Sequence, residues 1–179
     1  MPAQTTITDP FPPSAAFYLT VYPFKGWDVV TESALNDLVA FCREVIQSGR
    51  KMIVRFAPEM NGTWFQYGQR PSYFKMMWMA VWNAIKADPI ARETNLMWAV
   101  NSIQGYPFCG GSQYCAQGKP WENETDTNAP EGLDGDDDPY TPYYPGDEYV
   151  DSVGMSIYHY GIQYVGRIGS MSKPIADLC

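Results

Sequence analysis

The chain has 179 residues, room for one domain with its own core. It carries 12 Lys+Arg against 20 Asp+Glu, a net charge of −8, which argues against a binder of phosphate backbones such as nucleic acid. An aromatic share of 15% sets aside disorder and suits either neutral, flat-faced ligands such as sugars or a Trp-rich core.

Met1 to Pro13 shows neither a cationic n-region nor an apolar h-region, so no signal peptide is visible, and residues 1–14 read as an N-terminal extension. No stretch approaches the ~20 apolar residues of a membrane span. The short apolar run Ala16 to Tyr22, ended by Pro23, predicts a buried strand. From Glu32 to Ser48 the residues Leu35, Leu38, Val39, Cys42, Val45 and Ile46 form one helical stripe. Thr31 or Ser33 caps its start and Gly49 supplies a left-handed stop. Lys51 to Phe56 predicts a second strand, Tyr73 to Lys86 a second helix, Asn95 to Val100 a third strand and Val150 to Tyr158 a fourth. Strands alternating with helices, and nearly continuous apolar runs, predict a parallel α/β sheet covered on both faces. Asn101 to Tyr149 has much Gly, Pro, Tyr and Asp with little periodicity, and so long a segment usually marks a functional loop.

The chemistry concentrates in Ile53 to Gly68, IVRFAPEMNGTWFQYG. Glu59 falls three residues past a strand, at the carboxyl end where parallel α/β sheets place their ligands. Arg55, four residues earlier, is a cation that favours ionised carboxylates in its vicinity. Asn61 offers a donor and an acceptor to a hydroxyl, and Trp64 and Tyr67 offer flat faces for sugar C–H groups. The competing reading is a capped loop around a buried Trp.

EMNGTW, with Arg four residues before its Glu, resembles the acid/base motif of glycoside hydrolase family 26, best known for endo-β-mannanases. YFKMMWMAVWNAI, NLMWAVNS and YYPGDEYVDSVGMSIY resemble the next helix, strand and strand entry of that family, and the likeness runs over about Ala15 to Lys173. It implies a (β/α)8 barrel, here a partial one of four to five parallel strands with intervening helices over residues 15–179, and retaining hydrolysis of β-1,4-mannan or a related β-glycan. Glu59 matches the general acid/base, Trp64 an aromatic wall beside the cut, and Tyr158 the tyrosine that hydrogen-bonds the nucleophile. Arg55, Asn61 and Tyr67 complete the expected sugar contacts.

Two positions depart from that pattern. The family has His immediately before its acid/base, and this chain has Pro58, which lacks a side-chain donor. Retaining hydrolysis also needs a second carboxylate about 5–5.5 Å from the first. The family carries it as a Glu on the seventh strand, and SMSKPIADLC offers none. Of the other acids, Asp134, Asp136, Asp137 and Asp138 read as a solvated acidic loop, because Pro139 and Pro145 stand where a calcium loop of the EF-hand type needs Gly and Glu. Asp147 and Glu148 lie in that loop's approach to the fourth strand, and Asp151 enters it at its amino end, away from the chemistry.

Several residues keep two readings. His159 is a sugar contact or a structural imidazole, Trp98 core or subsite, and Trp121 a sugar contact or a pin for the loop. Cys42 reads as a buried thiol. Cys109 and Cys115 close a Gly-rich loop flexible enough for a disulfide, while their spacing with His159 and Cys179 is too loose for a common zinc site. Asn123 is a credible glycosylation acceptor only on a secretory route.

The expectation is therefore a glycosidase-like domain that needs no cofactor or metal, takes a polysaccharide rather than nucleic acid or membrane as partner, and is inactive or incomplete without the nucleophile. The alternative is a non-catalytic carbohydrate-binding remnant. A sheet of about four strands also exposes edges that invite self-association. An extracellular location is expected if the full-length protein carries a leader.

Overall fold

A computed structural model describes residues 12, 14–102 and 104–158. Four strands, β1 (Ala16–Val21), β2 (Lys51–Phe56), β3 (Asn95–Asn101) and β4 (Ser152–Ser156), form one all-parallel sheet in sequence order. Helix α1 (Glu32–Gln47) joins β1 to β2, and α2 (Pro71–Ala87) joins β2 to β3. This is an α/β fold of the kind a partial barrel has. Among the described residues the sheet is open, with β1 and β4 at its edges.

The period of two in the strands decides which face each side chain takes. Met52, Val54 and Phe56 of β2, with Leu96, Trp98 and Val100 of β3, point to the helices. There they meet Cys42 and Val45 of α1 and Phe74, Trp78, Val81 and Ile85 of α2. Fully burying each large member of this set contributes about 1.5–3 kcal/mol. Trp98 is thus a core residue whose indole donates to the Tyr143 carbonyl at 3.1 Å. Cys42 is a free, fully buried thiol, and burial pushes its pKa up. Among the described residues the opposite face is not covered as expected, and β1 is not a buried strand: Tyr18 is exposed there, and Tyr18, Arg55, Met97, Ala99, Gly154 and Tyr158 help to line a cavity of about 290 Å³.

The caps explain where the helices begin. Thr31 Oγ1 accepts from Ala34 N at 3.2 Å, and Gly49, with φ of 82°, follows the last turn of α1. Helix α2 starts at Pro71, two residues before the expected Tyr73, because proline at the first helical position has no N–H to leave unsatisfied. At the amino end of the sheet, Asp151 accepts from Leu96 N at 2.8 Å and from Lys86 Nζ at 2.7 Å, which ties β4 to β3 and to α2. Strand β4, Ser152–Ser156, is shorter at both ends than the expected 150–158.

The segment between β3 and β4 folds around a small core of its own, Tyr106, Cys115, Ala116 and Leu133, closed by a Cys109–Cys115 disulfide. Burial pushes the Tyr106 hydroxyl up to about 12. Trp121 packs against this core with the Arg70 guanidinium 4.4 Å over its ring, so it pins the segment to the sheet domain. The expectation of a solvated acidic loop is corrected for Asp134, Asp137 and Asp138, whereas Asp136 is exposed. Asp137 is 3% exposed and accepts from Thr127 N, Thr127 Oγ1 and Asp134 N. Asp138 accepts from Tyr140 N and Thr141 N, and Asp134 from Asp136 N. These carboxylates satisfy backbone donors that no ladder or helix serves. Among the described residues no three Cys, Asp, Glu or His side chains gather to hold a metal, and no helix is long and apolar enough to cross a membrane. His159, Cys179 and the run from Lys173 lie outside the described residues.

Candidate functional site

The carboxyl end of β2 turns sharply, with Ala57 and Glu59 both in the left-handed region at φ of 42° and 59°. Each such non-glycine residue costs on the order of 1–3 kcal/mol and persists only where its surroundings hold it. Here the neighbouring strands do so: Ala57 N donates to Val21 O and Glu59 N to Ala99 O, both at 2.8 Å. The turn therefore rides on β1 and β3 and aims the Glu59 side chain across the carboxyl end of the sheet.

Both oxygens of that carboxylate have donors. Trp64 Nε1 donates to Oε2 at 2.9 Å, and the Tyr158 hydroxyl donates to Oε1 at 3.1 Å. Arg55 Nη2 lies 3.7 Å from Oε1, and the same nitrogen donates to Ser156 Oγ. The negative charge of Glu59, with burial adding to it, pushes the Tyr158 hydroxyl above its ordinary value and keeps it a proton donor. Glu59 is itself 8% exposed, whereas the indole beside it is 40% exposed. The arrangement is a fixed carboxylate beside an open aromatic face. It presents a hydrogen-bonded carboxylate at a defined place and offers a flat surface to a ring.

Four of the six residues expected at the site, Arg55, Glu59, Trp64 and Tyr158, thus meet at one carboxylate, and the expected partner of Tyr158 is corrected: its hydroxyl donates to Glu59 itself and not to a separate nucleophile. Asn61 and Tyr67 do not, and their expected sugar contacts are corrected. Asn61 is fully buried and uses its amide on the Asn101 main chain. Tyr67 is also fully buried, its hydroxyl donates to Pro58 O at 2.8 Å, and its ring stacks on Phe65 at 5.0 Å and tilts against Trp27 at 5.7 Å. Burial drives its hydroxyl pKa far up. Both residues shape the loop from beneath.

Four supporting residues carried no signal in the sequence. Phe108 meets the Trp64 ring edge-on at 5.2 Å. Thr63 Oγ1 donates to Phe108 O at 2.8 Å, and Ser112 Oγ donates to Thr63 O at 2.6 Å. Gln69 bridges the same two segments, donating to Pro107 O at 2.7 Å and accepting from Ala116 N at 2.8 Å. The disulfide-closed loop is therefore the backing of the Trp64 face. Gly62 makes the other side possible, since a Cβ there would stand 2.3 Å from the indole ring.

No protein-family model matches the sequence, and no curated protein matches it significantly. Among solved structures the chain is similar to the YdhT protein from Bacillus subtilis, with a TM-score of 0.47 and 18% sequence identity, covering 70% of this chain and 31% of that one. This chain thus spans less than a third of that protein's length.

Proposed function

We propose that the domain is the acid/base half of a retaining glycosidase of the family 26 type, acting on β-1,4-mannan or a related β-glycan. The observation that carries this reading is the Glu59 carboxylate, held by Trp64 and Tyr158 at a parallel strand's carboxyl end beside an exposed indole. In this role Glu59 gives its proton to the glycosidic oxygen as the bond to the anomeric carbon breaks, and Trp64 carries the adjoining sugar. Arg55 and Ser156 fix the side of the carboxylate that Tyr158 also contacts.

The anomeric carbon then needs a second carboxylate to attack it. Among the described residues, the lining of the cavity beside Arg55 and Tyr158 holds no carboxylate. In this reading the described residues bind the glycan and supply the proton donor, and turnover requires a second carboxylate. That feature equally favours the second reading, a carbohydrate-binding domain without catalysis. The edges of β1 and β4, open among the described residues, are the surfaces through which the chain would self-associate.

The test is depletion of the chain by insoluble β-mannan, run beside an assay for released reducing ends. Retention on mannan that Trp64→Ala abolishes supports the reading, and Glu59→Gln decides between its two forms by whether any residual hydrolysis disappears. A chain that neither binds nor cleaves any β-glycan overturns both.

A further inference from the structure

A second aromatic surface continues from the first. Tyr22 and Phe24, just past β1, stack at 4.9 Å with ring planes 5° apart. Phe65 meets them at 5.5 Å and 5.6 Å, and the Trp64 ring at 6.5 Å. The rings form an unbroken path from the Glu59 carboxylate through Trp64 and Phe65 to Phe24. Phe24 is 60% exposed and Tyr22 37%, so two stacked rings of this cluster open together to solvent.

The surface is also rigid. Phe24 N donates to Tyr22 O and Gly26 N to Pro23 O, both at 2.9 Å, and the turn ends on the buried Trp27, which packs against Tyr67 and Phe74. At its rim the exposed Gln66 side chain lies against Gly26, its amide nitrogen 3.1 Å from where a Cβ would stand. A flat apolar face with an amide at its edge suits a pyranose ring, which presents C–H groups on its faces and hydroxyls around its rim. Continuity with Trp64 favours an occupant that reaches both surfaces, such as one extended neutral chain.

We propose that Phe24, with Tyr22, Phe65 and Gln66, forms a distal sugar subsite for the same glycan that Trp64 and Glu59 hold. This rests on the glycan-binding reading above. A preorganised platform of this kind adds affinity for long chains and none for short ones.

The experiment is calorimetric titration of the whole chain with β-1,4-mannobiose and β-1,4-mannohexaose, for the wild type, Phe24→Ala and Trp64→Ala. Phe24→Ala removes an exposed ring, and thermal melting checks that the fold is unchanged. It is expected to weaken mannohexaose about fivefold to tenfold and leave mannobiose unaffected. Equal mannohexaose affinity in Phe24→Ala and wild type, with loss in Trp64→Ala, overturns the distal subsite and leaves the glycan-binding reading standing. No binding of either sugar by the wild type overturns both. A dimer in light scattering that Phe24→Ala dissolves assigns the surface to a second copy and overturns the subsite.

Discussion

Asn61 and Asn101 are joined by a closed pair of hydrogen bonds: Asn61 Nδ2 donates to the Asn101 carbonyl at 3.0 Å, and Asn61 Oδ1 accepts from the Asn101 N–H at 2.9 Å. A side-chain amide thus continues the sheet where the backbone of β2 has turned away, and it locks the Glu59 loop to the end of β3. Asn61→Ala leaves both main-chain groups without a partner and should cost about 2 kcal/mol. Asn61→Asp should cost at least as much, because it places a carboxylate oxygen against the Asn101 carbonyl. Urea denaturation monitored by far-UV circular dichroism reads both, and an Asn61→Ala chain as stable as wild type would show that the clamp is dispensable.

Gly62 lies under the Trp64 indole. A methyl group there cannot coexist with the ring in its present place, and the ring is free to move because it is partly exposed. Gly62→Ala should cost about 1–3 kcal/mol by overpacking and shift the Trp64 Nε1–H resonance as the bond to Glu59 is lost. An unchanged indole resonance would contradict the account of how Trp64 is held.

The Cys109–Cys115 bridge closes the loop that backs Trp64 through Phe108. Reduction, or a Cys115→Ser substitution, should destabilise the domain by about 2 kcal/mol, the loop-closure contribution of so short a ring. The Trp64 Nε1–H signal should broaden at the same time. A melting temperature indifferent to reductant would sink this prediction.

Stability should fall in acid through the segment between β3 and β4. Burial pushes the Asp137 pKa up, but its hydrogen bonds from Asp134 and Thr127 outweigh burial and leave it below the usual carboxylate range. Asp138 is lowered in the same way by Thr141 and Tyr140, and outside this segment, at the end of α2, Asp88 is lowered by the Arg43 guanidinium at 2.5 Å. A depressed folded pKa means that the unfolded state binds more protons. The stabilisation is therefore present above the unfolded value of about 4 and is lost as pH falls toward the folded one. Asp137→Asn should lower stability at pH 7 and flatten this acid limb, because its NH2 faces donors. Denaturation midpoints between pH 7 and pH 3 measure it, and parallel curves for the two proteins would contradict it.

How far the sequence could be read follows the range of the forces involved. Strands β2 and β3 and helix α1 were legible because burial under one face writes a local period. Glu59 and Trp64 were legible because they lie five residues apart in one motif. Tyr67 and Asn61 were not, since nothing local distinguishes a sugar platform from a ring stacked on Phe65, or a free amide from one spent forty residues away on Asn101. Asp137 is a similar case: its charge reads as solvated until Thr127, ten residues off, supplies the donors. Phe108 left no trace because its role depends on where a loop without periodicity comes to rest against Trp64.

The central claim is that the Glu59–Trp64 site holds a β-glycan. The most direct measurement is the dissociation constant of β-1,4-mannohexaose for the whole chain and for Trp64→Ala, taken side by side. The account predicts saturable one-to-one binding by the wild type and at least a tenfold loss in Trp64→Ala, the equivalent of about 1.4 kcal/mol. Absence of binding by the wild type, or equal affinity in the two proteins, would contradict it.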